Sequence, residues 1–237
     1  MCFILFMQIS WLQYVTPVTK VSKFIRNSYM QVLQTQQKDT FQHFQPIKYV
    51  KFATLAGMQA FTGFYFPNTK IITNNIKDGR QILSTMCKLY NMTNGQILFP
   101  PEIRTFKQRK SRYCGAYGEN AIRINSNKYL ESTLIHEIAH YNHEQLCPDY
   151  YKMGKKNEII AEGITDFSIF DEFNDNKNAK KLIKRYLGGY ATSSPCEFVA
   201  CTFESLSNGR TLPIKIWELY KKYDGPHANI LKFLFVK

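Results

Sequence analysis

Leu130-Glu131-Ser132-Thr133-Leu134-Ile135-His136-Glu137-Ile138-Ala139-His140-Tyr141-Asn142-His143-Glu144 is the stretch on which the reading turns. Its apolar positions Leu130, Leu134, Ile138 and Tyr141 recur every three or four residues. That period predicts a helix from about Lys128 to Glu144. His136 and His140 stand one turn apart on it, so both imidazoles project from one face and can reach a single ion. Glu137 lies beside the first of them, where a carboxylate can face a metal-held water without ligating the metal. The pattern predicts a zinc site in which His136 and His140 are ligands and Glu137 is a general base. His143, further along the same helix, is expected to be exposed.

Working outward, the residues before this helix read as a β-hairpin. Tyr113 to Tyr117 form one arm, Gly118-Glu119-Asn120 the turn and Ala121 to Asn125 the other arm, in which Ile122 and Ile124 alternate with Arg123. The arm from Ala121 to Asn125 is expected to be a sheet edge lying over the helix. Further upstream, Ile82, Leu83, Met86, Leu89 and Tyr90 have helical spacing, with Asp78 as the expected N-cap, Asn94-Gly95 as the close and Pro100-Pro101 as a break. Residues 47–75 suggest short strands and turns, and the Gln-rich residues 27–46 a helix or linker ending near Pro46. Downstream, helices are expected over Asn157 to Phe170, over Ala179 to Leu187 with Gly188-Gly189 as the stop, from Pro195 onward, and from Pro213 to about Tyr223. The fold class is therefore expected to be α+β: a small mixed sheet over the helix that carries the histidines, with a helical C-terminal half. Residues 1–95 are expected to be a supporting region and 96–237 the domain that carries the site.

Composition narrows the classes. The 237-residue chain is 44% hydrophobic and 15% aromatic, enough to build a core, and carries a formal net charge of +13. That charge favours acidic partners, whether nucleic acid, anionic membrane or acidic protein. The densest basic run is Arg104, Lys107, Arg109, Lys110 and Arg112, which reads as a solvated loop. No RNP, zinc-knuckle or helix-turn-helix pattern accompanies it, so nucleic-acid binding is weakly supported. The six cysteines form no CxxC pair and lack zinc-finger spacing. Reduced, mostly buried thiols are expected, which suits a cytoplasmic setting. In the first fifteen residues the apolar run is broken by Gln8, Ser10 and Gln13, and the charges Lys20, Lys23 and Arg26 follow rather than precede it. That order argues against a secretory signal, and the run is too short and polar to span a bilayer.

A catalytic zinc needs a third protein ligand, and three glutamates compete. Glu162, with Asp166 one turn on, resembles the thermolysin-type arrangement, in which a helical Glu ligates zinc. Glu158 fits the same scheme a turn earlier. Both have an ordinary reading as the solvated face of a helix. Glu197 opens Glu197-Phe198-Val199-Ala200, and its ordinary reading is a capping-box partner of Ser194.

The stretch Leu187-Gly188-Gly189-Tyr190-Ala191-Thr192-Ser193-Ser194-Pro195-Cys196-Glu197-Phe198-Val199-Ala200-Cys201-Thr202-Phe203 resembles the C-terminal signature of metallopeptidases of the anthrax-lethal-factor type and their phage-encoded relatives. Those proteins show a Tyr, a short polar segment and then Glu-Phe-x-Ala-Glu-x-Phe. The similarity spans roughly residues 110–226 and is patchy between His143 and Tyr190. It implies a zincin-like fold, zinc ligands His136, His140 and Glu197, Glu137 as catalytic base, and Tyr190 as a stabiliser of the oxyanion on the attacked carbonyl. The implied activity is hydrolysis of a protein or peptide substrate. One departure is Cys201, which replaces the usual acid after Ala and removes an expected partner of the ligands. The run Ile122 to Asn125 followed by Thr133 to His140 also resembles the core of SprT-type, DNA-associated proteases. These take a third His, for which only His143 and His227 are at hand. A non-enzymatic protein with a structural metal site is the remaining expectation.

Overall fold

The computed structural model describes residues 45–107, 114–126, 129–149, 151, 177–228 and 230–231. The expected helix over Asn157 to Phe170, with Glu158, Glu162 and Asp166, lies outside the described residues, as do Arg109, Lys110, Arg112 and the N-terminal segment. The described residues from Pro46 onward belong to one compact unit.

The described chain begins with helix α1 (Leu55–Tyr65), capped by the Thr54 hydroxyl on the Gly57 N–H. Strand β1 (Lys70–Ile72) and helix α2 (Ile76–Met92) follow. The N-cap of α2 is Asn75, whose Oδ1 accepts from the Lys77 N–H at 2.9 Å, not the expected Asp78. Both are good capping residues. Asp78 sits in the first turn and accepts a hydrogen bond from the Ser126 hydroxyl at 2.5 Å, a partner supplied by the residue just after β4. Asn94 and Gly95, both with positive φ, stop α2 as expected.

Strands β2 (Glu102–Phe106), β3 (Gly115–Gly118) and β4 (Ala121–Asn125) complete a mixed four-stranded sheet in the order β1-β2-β4-β3. β1–β2 and β2–β4 are parallel and β3–β4 antiparallel. Glu119 and Asn120 turn the hairpin with φ of 52° and 58°, the two positive values that match the twist of its arms. The expected edge is corrected: β4 pairs on both sides, and the outer strand is β3. Alternation along Ala121–Asn125 reports only which face is buried, not what lies on either flank.

Helix α3 (Leu130–Leu146) carries His136 and His140. Leu134, Ile135, Ile138 and Ala139 are fully buried, because α2, the β3–β4 hairpin and helix α5 (Pro195–Ser207) all pack against it. Helices α4 (Lys177–Leu187) and α6 (Ile214–Lys222) complete the C-terminal half, so the expected α+β class with a small mixed sheet is what forms. Ile71, Ile103, Ile122 and Ile124 supply the sheet's inner face, and Phe198, Phe203, Trp217 and Tyr220 the helical side of the core. Residues 46–95 share this sheet and core through β1 and α2. No helix among the described residues is long and apolar enough to cross a membrane.

Asn142, fully buried on α3, ties three segments together. Its amide donates to the carbonyls of Leu98 and Ile138, both at 2.8 Å, while its oxygen takes the Leu98 N–H at 2.9 Å and meets His227 Nε2 at 3.0 Å. The expectation of an exposed His143 is also corrected. It is 2% exposed, with Nε2 donating to the Tyr223 carbonyl at 3.0 Å. The far side of α3, solvent-facing in a two-layer amphipathic picture, is covered here by the chain after α6.

Candidate metal centre

Two helices bring three donors to one point. On α3 the histidines occupy the face turned toward α5. The start of α5 is set locally: Ser194 caps it by accepting the Glu197 N–H at 3.2 Å, and Pro195 occupies the first turn. Glu197 thereby stands at the third helical position, and its carboxylate reaches the histidines rather than turning back to complete a capping box. Glu197 Oε2 lies 3.0 Å from His136 Nε2 and 3.4 Å from His140 Nε2, and the two Nε2 atoms are 3.2 Å apart.

This triangle can be tested against a metal. Bonds of about 2.0–2.1 Å in tetrahedral directions place neighbouring donor atoms ~3.3–3.4 Å apart. The three measured edges lie within a few tenths of an ångström of that spacing. Two imidazoles and a carboxylate are also the donor chemistry that suits a zinc-like divalent ion. His136 and His140 are buried and Glu197 is half-buried, so the donors are held by packing before any ion arrives.

The electrostatics agree with a site arranged around positive charge. Burial opposes a charged His136 ring, but Cys201, Glu197 and Glu204 around it outweigh that and push its pKa up to about 12. Burial likewise opposes ionisation of Glu197, yet hydrogen bonds from His136 and His140 hold its carboxyl well below the usual range. The positive end of the α5 dipole acts in the same sense.

Glu137 is 8% exposed and lies under β3. Burial pushes its pKa up, His140 and His136 pull it down, and the Tyr117 backbone N–H donates to it. β3 comes this close because Gly115 has no side chain: a Cβ there would run into the Thr133 methyl and sit 3.3 Å from Glu137 Cγ.

Tyr190 is not a core aromatic. It is 62% exposed in a 3₁₀ turn, Tyr190–Thr192, its ring centroid 5.8 Å from that of His136. The Thr192 hydroxyl donates to the Gly189 carbonyl at 2.7 Å and the Ser193 hydroxyl to the Tyr190 carbonyl at 2.8 Å, which fixes the turn. Partial burial and the nearby Glu197 carboxylate raise its pKa, so it stays a proton donor.

Neither spare histidine joins the triangle. His143 is committed to Tyr223, and burial and the charge of His140 lower its pKa to about 3. His227 meets Asn142, and burial lowers its pKa to about 4. The three-histidine set of the SprT-type reading therefore does not form among the described residues. Sequence reasoning missed Glu204, whose Oε2 is 3.5 Å from His136 Nδ1, and the role of Gly115. A signal for Glu204 existed: it stands seven residues after Glu197, hence on the same helical face. Nothing local marked Gly115.

Compared with known proteins, the chain matches no family model, no curated sequence and no solved structure. Its function has to be read from the site itself.

Proposed function

We propose that this chain is a zinc-dependent peptidase with a zincin-like arrangement, in which His136, His140 and Glu197 hold the ion and Glu137 moves the protons. The observation that carries the reading is the near-tetrahedral spacing of three donors with a second, non-ligating carboxylate buried beside them. Among the described residues only three donors converge, which suits a catalytic site with a position left for water better than a closed structural one.

A bound zinc ion supplies Lewis acidity, lowering the pKa of its water toward about 7 and polarising a carbonyl. Glu137 takes the water's proton and returns it to the departing amine. Its burial beneath β3 suits that work, because desolvation raises the carboxyl's pKa and so strengthens it as a base. Tyr190, protonated and with its ring beside that of His136, donates to the oxyanion of the attacked carbonyl. β3 is the outer strand of the sheet and passes directly over Glu137. Among the described residues no further strand pairs with its outer side, where an extended polypeptide could add hydrogen bonds beside the reacting centre.

Glu137→Gln tests this. Zinc content should stay at the wild-type level, while hydrolysis of an unfolded protein substrate should fall about 10²–10⁴-fold. Wild-type activity in a zinc-loaded variant would end the mechanism.

A further inference from the structure

Helix α5 is buried along almost its whole length, and the residues it leaves half-exposed are Glu197 and Glu204. With Cys201 between them they stand at positions i, i+4 and i+7, one stripe facing α3. Glu197 reaches the Nε2 edge of His136, and the other two reach the opposite edge. Cys201 Sγ is 3.9 Å from His136 Nδ1 and Glu204 Oε2 is 3.5 Å from the same atom. One nitrogen carries one hydrogen, so thiol and carboxylate compete for it. A thiol sulfur is a weak acceptor. A carboxylate is a strong one, and it is also the nearer of the two.

We infer that Glu204 is a positioning residue for His136: by accepting the Nδ1–H it selects the tautomer whose Nε2 lone pair points at His140 and Glu197, a task done from two turns beyond the ligand Glu197 because Cys201 occupies the intervening turn. The inference rests on the metal-site reading and goes beyond it. The absence of an acid at position 201 does not leave His136 without an oriented ring. The helix supplies the carboxylate from its next turn on the same face. A partner of this kind fixes ring rotation and raises ligand basicity, and its loss weakens metal affinity about 10–100-fold.

The test uses the full chain and zinc alone. Zinc affinity is measured by competition with a chromophoric chelator for wild type, Glu204→Ala, Glu204→Gln and Cys201→Ala, beside the thermal stability of each in excess chelator. Glu204→Ala should bind zinc about 10–100-fold more weakly. Glu204→Gln should fall between, since its amide oxygen still accepts the N–H without charge. Cys201→Ala should stay close to wild type. In nitrogen-edited NMR the Nδ1 proton of His136 should be slow to exchange in zinc-loaded wild type and fast in Glu204→Ala. A merely structural role would lower metal-free stability and leave the zinc-induced rise in Tm intact, and that result overturns the inference. So does an unchanged affinity in Glu204→Ala, or a loss confined to Cys201→Ala. If Glu204→Ala does not fold, Glu204→Gln decides alone, and wild-type affinity there overturns it. A wild-type chain that takes up no zinc removes the metal reading itself, a result distinct from all of these.

Discussion

Gly115 is the point at which the sheet touches the site, and adding one methyl there has a calculable effect. In Gly115→Ala the new Cβ overlaps the Thr133 methyl and comes within 3.3 Å of both Glu137 Cγ and the Arg123 carbonyl oxygen. Thr133 is β-branched on a helix and has only two comfortable χ1 settings, so it yields little. The backbone oxygen cannot move without straining the β3–β4 ladder. The remaining relief is a small lift of β3 away from α3, which carries the Tyr117 N–H off Glu137. Overpacking of this size costs about 1–3 kcal/mol. For a domain of this length that lowers Tm by roughly 2–12 °C. If Glu137 is the base proposed above, the expected activity loss is up to about 100-fold in kcat/KM, because a group guiding it moves by a fraction of an ångström to an ångström. Zinc content should not change, since the three donors sit on α3 and α5. The assay is a double-mutant cycle with Thr133→Ala, which removes the obstructing methyl. Thermal unfolding of the four proteins should give a favourable coupling of about 0.5–3 kcal/mol, with activity partly restored in the double variant. A cycle that closes additively would refute the steric account of how β3 meets Glu137.

Three further outcomes follow from the same structure. The folded pKa of His143, about 3, lies below the unfolded value of 6.5. Below pH 6.5 the unfolded chain therefore gains a proton that the folded chain refuses, and stability falls by about 1.4 kcal/mol per pH unit until about pH 3. Urea unfolding between pH 7 and 5 should show that slope shallower in His143→Gln, and an identical slope would count against it. Asn142→Ala strands the Leu98 N–H and carbonyl, so it should cost about 2–4 kcal/mol, visible by calorimetry as a drop in Tm with zinc still bound. Ser194→Ala removes the cap one turn before the metal-facing carboxylate and should cost about 1 kcal/mol. It should also weaken zinc binding severalfold in the chelator assay, with Ser194→Asp restoring both; unaltered affinity would show that the cap does not place Glu197.

His136, Glu137 and His140 were legible because their arrangement is local: a 3.6-residue period fixes which side chains share a face, whatever the rest of the chain does. The hairpin was legible for the same reason, through two-residue alternation and a turn that tolerates positive φ at Glu119 and Asn120. The convergence of Glu197 on His136, 61 positions earlier, was not local, and only its likeness to a known motif pointed there. Glu158, Glu162 and Asp166 lie outside the described residues, so the geometry speaks for Glu197 without weighing those candidates.

What the tertiary structure decided was everything that depends on neighbours distant in sequence. Periodicity says that Ile122 and Ile124 face inward, but pairing on both flanks made β4 an inner strand and β3 the edge. Asp78 and Asn75 are equivalent caps by propensity, and a hydrogen bond from Ser126, just after β4, separated their roles. His143 looked solvent-facing until the chain after α6 folded over it. Local periodicity is a property of one segment, whereas edges, burial and the far side of an imidazole ring are properties of what packs against it.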